Sequence, residues 1–229
     1  MRSILTIAIV STLAMGSAAK ADYEEPEYRV IEQREGYEIR EYAPHLVAAT
    51  TVEGDFDSTG GRAFRILARY IFGDNTASEK MEMTVPVTSK ATAPPEETGV
   101  EMNMTVPVSK KPSDGTGDAY TYRFVMERAY TEKSLPKPND PRVEIVEIPE
   151  RVMAVRRYSG RTTERNFDEN LAALERALAR DGLTAIGVPE AAAYNGPFTL
   201  PARRRNEVMV EVKLKGSSSS AGTSDTGTP

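Results

Sequence analysis

The sequence predicts an α+β fold made of two similar halves, each built from strands, one helix and further strands. Three observations predict it. Phe64, Leu67, Ala68 and Ile71 recur at i, i+3, i+4 and i+7, and Phe167, Leu171, Leu174 and Leu178 at i, i+4, i+7 and i+11, so each half holds one amphipathic helix. Short segments with period-two alternation surround both helices. The pattern Val47-Ala48 followed by Gly54 returns at a constant offset as Met153-Ala154 followed by Gly160, and each Gly precedes a helix.

The elements follow in order. Residues 28–42 read as a strand pair with a tight turn at Gly36, carrying Val30, Tyr37 and Ile39 among polar neighbours. Residues 45–52, rich in Val, Ala and Thr, read as a more buried strand. Asp57, Ser58 and Thr59 are helix-capping types and set the start of the first helix, and Gly73 sets its stop. Arg62, Arg65 and Arg69 share another side of that helix. Met83-Thr84-Val85-Pro86-Val87 and Met104-Thr105-Val106-Pro107-Val108 are two copies of one pentapeptide. Both read as strands, with each Pro where no ladder donor is needed. Residues 91–99 and 110–118 read as exposed links.

In the second half, residues 120–126 alternate as a strand and residues 135–141 form a Pro-rich turn region. Val143, Ile145 and Val146 mark one strand and residues 152–158 another. Asp181-Gly182 ends the second helix. Residues 207–214 form the last strand, with Val208, Val210 and Val212 on one face.

Composition narrows the function. With 229 residues, 39% of them hydrophobic, the chain can bury one sizeable core or two small ones. Aromatics make up 7% and Trp is absent, so a flat ligand would be gripped mainly by aliphatic and Met side chains. The net charge of -5 and the lack of a strongly basic segment argue against nucleic acid as a partner. The absence of Cys excludes disulfides, thiolate metal sites, Cys nucleophiles and a lipidated N-terminal Cys.

The two ends read differently from the middle. Arg2, an apolar run from Ile4 to Met15 and Ala19-Lys20-Ala21 fit a cleaved secretory signal over residues 1–21. The run is too short to span a bilayer, so no stable membrane insertion is expected after cleavage. The expected location is periplasmic or secreted. Residues 22–215 would be the folded domain. The Ser/Gly/Thr-rich residues 216–229 cannot bury enough surface to offset their ordering entropy and read as a tail.

Four stretches, in this order, resemble the SOUL haem-binding family. They are Tyr37-Glu38-Ile39-Arg40-Glu41-Tyr42, the repeated Met-Thr-Val-Pro-Val, Leu135-Pro136-Lys137-Pro138-Asn139-Asp140, and Arg204-Arg205-Asn206-Glu207-Val208. Ser159-Gly160 before the second helix fits as well, and together they cover residues 28–212. The resemblance implies a distorted antiparallel β-barrel flanked by two main helices. It also implies haem or free porphyrin held in a shallow apolar groove beside the first helix, with basic side chains meeting the propionates. Carried onto this chain, it points at Phe64, Arg65, Ala68, Arg69 and Phe72, and at Leu200 and Arg203 in the loop before the last strand. A tetrapyrrole needs apolar area for its plate and guanidinium groups for its carboxylate edge, and these residues offer both. The sequence departs from the resemblance at one point. Some members are thought to ligate iron with a His in the strand that here reads Tyr37 to Tyr42, and this chain has Glu41 and no His there. Its one His, His45, is the candidate iron ligand.

Two other functions fit parts of the sequence. Met81-Glu82-Met83 and Met102-Asn103-Met104 each aim two thioethers to one side of a strand, a pattern suited to Cu(I) and equally to core packing. Glu207 could act as the base of a groove hydrolase, or pair with Arg204 or Arg205. No Gly-x-Ser-x-Gly elbow, phosphate loop or dinucleotide fingerprint is present, so the chain reads as a binding protein with no catalytic residues. The acidic charge and the exposed links could serve a protein partner that the sequence does not name.

Overall fold

The computed structural model describes residues 23–78, 99–113 and 118–213. The signal at residues 1–21, the first pentapeptide copy with Met81, and the tail at residues 216–229 lie outside the described residues.

Alternating apolar and polar residues lay β1 (Tyr28–Arg34) against β2 (Tyr37–Tyr42) as an antiparallel hairpin. Next come β3 (His45–Glu53), α1 (Phe56–Ile71), β4 (Asn75–Thr76), β5 (Val108–Pro112), β6 (Ala119–Val125) and β7 (Lys137–Pro138). The second half holds β8 (Glu144–Ile148), β9 (Arg151–Tyr158), α2 (Glu164–Arg180), β10 (Thr184–Ala193) and β11 (Asn206–Lys213). The large sheet is antiparallel throughout, in the order β1-β2-β9-β11-β10-β5-β6-β3-β8, and β4 pairs β7 apart from it. The sheet is not closed: β1 and β8 are its edges.

Leaving β1 aside, this order reads the same from either end when β2 is matched with β8, β9 with β3, β11 with β6 and β10 with β5. That is a pseudo-twofold axis through the β10–β5 pair. It is the repeat seen in Val47-Ala48 and Met153-Ala154, which sit in the matched strands β3 and β9. Gly54 and Gly160 leave these strands at φ 120° and 117°, a region that L side chains avoid. The two halves also exchange strands: β2 lies on β9, and β8 lies on β3.

Both helices cover the same face of the sheet. α1 packs on β3 and β6, and α2 on β9, β10 and β11. Leu67, Tyr70 and Ile71 of α1 and Leu174 and Leu178 of α2 meet Ile39, Ala48, Phe124, Ala154, Val208, Val210 and Val212 in one core. Phe56 touches Phe167 at 5.3 Å and so ties the two helices together. The other face carries a smaller cluster of Tyr42, Met153, Val155, Ala192, Tyr194 and Met209. No helix among the described residues is long and apolar enough to cross a membrane.

Four details differ from the sequence expectation. The buried stripe of α1 is Phe56, Thr59, Ala63, Leu67, Ala68, Tyr70 and Ile71, and Phe64 stands at its edge, 43% exposed. The helix starts earlier than predicted, with Asp55 as its N-cap, and the Ser58 and Thr59 hydroxyls donate back to the Asp55 carbonyl. The strand predicted over residues 104–108 begins only at Val108, after Pro107, because proline has no N–H to give a ladder. It then runs through Lys110 and Lys111, which had read as an exposed link. Finally, the sequence pattern missed β10, the longest strand of the sheet. Its Ala, Gly and Pro residues are weak strand formers, and pairing with β11 on one side and β5 on the other holds it.

Candidate functional site

On α1, Phe64, Arg65, Ala68, Arg69 and Phe72 stand at i, i+1, i+4, i+5 and i+8 and form one ridge. With Gly73 and Asp74 they line a shallow groove of about 590 Å3. Phe64 rests on the buried Phe124 of β6 at 5.5 Å, so one side of its ring is backed by the core. Phe72, at the end of the helix, is 60% exposed. Two large aromatics left half-bare on one ridge are the informative kind of exposure. Along the helix axis they are about 12 Å apart, on the scale of a flat macrocycle.

The groove is edged by positive charge. Arg69 pairs with Asp74 at 2.9 Å, with its guanidinium largely in solvent. Such a pair holds by only about 0–1 kcal/mol, so an incoming carboxylate can displace Asp74. Arg65 is exposed and forms no ion pair among the described residues. The far end of the groove is rigid. The buried Asn75 amide donates to the Tyr70 carbonyl at 2.7 Å and the Val100 carbonyl at 2.8 Å, and the Tyr70 hydroxyl donates to the Pro136 carbonyl at 2.8 Å. Arg142, bonded to Asp140 beside this loop, holds that carboxyl down at about 2.

The structure brings five of the seven expected ligand-binding residues together and separates the other two. Leu200 lines a second groove of about 570 Å3 with Asp57, Arg161, Phe198 and Arg204, at the N-terminal ends of both helices. Asp57 is about 22 Å from Phe72 along α1. Arg203 closes a 3-10 turn, Pro201–Arg203, and borders neither groove. This loop is fastened elsewhere: the Gly160 amide donates to the Pro201 carbonyl at 2.9 Å, and Arg204 donates to the Thr199 carbonyl at 2.8 Å. Gly73 and Asp74 were missed as lining residues. Their signal was present, since they follow directly on the helix stop.

His45 does not reach the groove. Strand alternation puts Leu46, Ala48 and Val52 against the helices and turns His45 to the opposite face. There its Nδ1 lies 2.8 Å from the Ala43 carbonyl, and burial first, then the nearby Arg151 and Arg123, lower its pKa against the opposing pull of that carbonyl and of Glu190. The expected iron ligand is thus on the wrong side of the sheet for a plate lying beside α1.

The other candidates resolve into structure. Met102 is buried and Met104 partly buried in the helix-side core, so that Met pair packs. Met81 and Met83 lie outside the described residues. Among the described residues no group of three or more His, Asp or Glu could hold a metal. Glu207 is fully buried and accepts from Arg40 at 3.0 and 3.3 Å, from Arg205 at 3.0 Å and from the Tyr194 hydroxyl at 2.8 Å. Of the two partners expected from sequence, Arg205 is one. Arg204 bonds carbonyls instead, and Arg40 of β2 takes the second place.

Taken together, a two-fold-repeated α+β sheet with an apolar, arginine-edged ridge on one helix defines a small-ligand-binding domain. More particularly, the chain belongs to the SOUL heme-binding protein family, whose family model matches residues 23–211. It is 30% identical to human Heme-binding protein 2 over 206 residues, covering 86% of this chain and 90% of the relative. The mouse Heme-binding protein 2 is 29% identical over 179 residues, covering 76% and 77%. The fold is shared more widely. The EcmrR C-terminal domain aligns with a TM-score of 0.54 at 11% identity, covering 81% of this chain and 98% of that one. A hydrolase from Listeria innocua aligns with a TM-score of 0.52 at 12% identity, covering 80% and 94%.

Proposed function

We propose that this protein binds haem or a free porphyrin on the ridge of α1, with Phe64, Ala68 and Phe72 against the plate and Arg65 and Arg69 at its propionates. The observation that carries this reading is the ridge itself: two half-exposed phenylalanines flanked by a free and a weakly held arginine. Membership of the family and the names of its mammalian relatives support the ligand class. Burying about 200 Å2 of apolar surface contributes about 5 kcal/mol before the cost of association, enough for a modest-affinity site. When bound, haem would bring its iron and its flat apolar surface. The described groove residues include no His or other strong iron ligand, so they bury the ring and orient its carboxylates without ligating the metal. Binding on these terms discriminates little between haem and the metal-free ring.

The role is carriage or buffering of a tetrapyrrole rather than catalysis. Glu207, the carboxylate best placed for a hydrolase by sequence, has its oxygens fully engaged by two arginines and a tyrosine. The site of action in this reading is the periplasm or the exterior, on the strength of the signal-like residues 1–21.

A titration of the full chain with haem and with metal-free protoporphyrin, followed by the Soret band and tyrosine quenching, tests the proposal. Both ligands should bind within a few-fold of each other, about as tightly for His45→Ala as for the wild-type chain. Failure of both to bind would overturn the reading. Loss of haem binding alone in His45→Ala would replace ring burial with iron ligation.

A further inference from the structure

On the sheet face away from the helices, Glu190 of β10 is buried between two arginines that come from opposite halves of the fold. Arg151 of β9 meets it with two prongs at 2.6 and 3.2 Å, and Arg123 of β6 reaches it at 3.2 Å. Lys111 of β5 stands on the same face, since it pairs with Thr121 two residues from Arg123. His45 of β3 completes the ring, and under the pseudo-twofold it occupies the position matched to Arg151, each opening its strand. Three cations and an imidazole thus surround one carboxylate.

This balance differs from that at Glu207. There the two arginines also hold Glu38 and Glu25, so three carboxylates face two cations. Around Glu190 no second carboxylate joins in among the described residues. On that face Glu207 and Glu211 of β11 flank Met209, the partner of Glu190, but Glu207 is taken up by Arg40, Arg205 and Tyr194, and Glu211 forms no ion pair with the cluster among the described residues. Two further features accompany this cluster. The Arg151 Nε–H is buried and has no hydrogen-bond partner among the described residues, an exception that native structures rarely leave unused. Lys111 and His45 both have lowered pKa values, through burial first and then through the field of Arg123 and Arg151, against the opposing attraction of Glu190.

We propose that this cluster is a binding site for a small oxoanion, a carboxylate or phosphate group received by Arg151, Lys111 and His45. An oxoanion supplies the acceptor that the Arg151 Nε–H lacks and relieves the repulsion among the three cations. His45 Nδ1 is engaged with the Ala43 carbonyl, so Nε2 is the nitrogen that takes up a proton as the anion arrives. Binding therefore raises the His45 pKa, and by linkage affinity grows as pH falls through that transition. The site is separate from the α1 ridge, with the sheet between them.

The test needs no tetrapyrrole, so its failure leaves the haem reading standing. His45 is the only histidine, and its ring gives a single titrating NMR signal in the ligand-free full chain. That signal is titrated in the presence of inorganic phosphate, of acetate, and of sodium chloride at matched ionic strength. Phosphate or acetate should raise its midpoint while chloride does not, and the response of one rather than the other identifies the anion class. Lys111→Gln leaves both arginine pairs of Glu190 in place and should weaken binding about tenfold, the loss of one charge-assisted hydrogen bond. An oxoanion effect no greater than that of chloride overturns the proposal, as does Lys111→Gln binding as tightly as the wild-type chain.

Discussion

The ridge of α1 and the network around Glu207 are both rich in charge, and they are built on opposite terms. At Glu207 every charged group has its partner: Arg40 also bonds Glu38 at 2.7 Å and Tyr42 at 3.1 Å, and Arg205 also bonds Glu25 at 2.7 Å. Burial, reinforced by Glu207, pushes the Tyr194 phenol far above its ordinary value. On the ridge, Arg65 has no ion pair and Arg69 only a solvent-exposed one. A buried network that is complete resists change and offers nothing to a ligand. A surface that keeps aromatics bare and cations weakly held has interactions left to give.

The comparison breaks most visibly at Glu207. Glu207→Gln leaves Arg40 and Arg205 short of a buried counter-charge and should destabilise the fold by about 3–5 kcal/mol. Urea unfolding measures this, and a loss below about 1 kcal/mol would show that the network is not what holds this face together. On the ridge the order of effects reverses. Phe64→Ala with Phe72→Ala should lower porphyrin affinity about tenfold or more, with little change in the unfolding midpoint. An unchanged dissociation constant in that double variant would move the ligand away from α1.

A smaller effect is expected in the seam between the helices. Lys110 donates to the Phe56 carbonyl at 2.8 Å, and burial pulls its pKa down to about 7 against the weaker pull of Asp57 and Glu164. Its folded pKa is below its unfolded one. Between about pH 7 and the ordinary lysine range near 10.4, the unfolded chain therefore holds more protons, and stability rises with pH. Lys110→Met should be favoured relative to the wild-type chain at about pH 6 and lose that advantage by about pH 10. Thermal melts of both chains across this window check the slope, and parallel curves would place the Lys110 pKa at its usual value. The smallest effect belongs to Arg65→Ala, which should weaken porphyrin binding only a few-fold and leave binding of the porphyrin dimethyl ester unchanged. Equal weakening of acid and ester would mean that Arg65 packs against the ring rather than pairing with a propionate.

Much of this was legible in the chain because periodicity and turn chemistry are local. α2 was placed by Phe167, Leu174 and Leu178, all buried as expected, and Gly73 and Gly182 mark where the helices stop. The pseudo-twofold was visible in a pair of dipeptides and two glycines. The ridge residues were named from the family resemblance, and they stand together because they lie on one helix, where spacing fixes which side chains are neighbours. Leu200, Arg203 and His45 were assigned to the same site without such a rule. They lie outside that helix, and their positions depend on how loops and strands cross the sheet. β10 was missed for the same reason: its residues carry no strand signal of their own, and two neighbouring strands supply it.

By itself the sequence determined the two helices and the repeated plan. Each follows from the order of residues within one element or from a repeat along the chain. The tertiary structure decided which face His45 occupies, that Glu207 is locked between Arg40 and Arg205, and that Glu190 gathers cations from both halves. Those outcomes depend on strand register, where a shift of one residue turns every side chain to the other face, and register is set by partners far away in the chain.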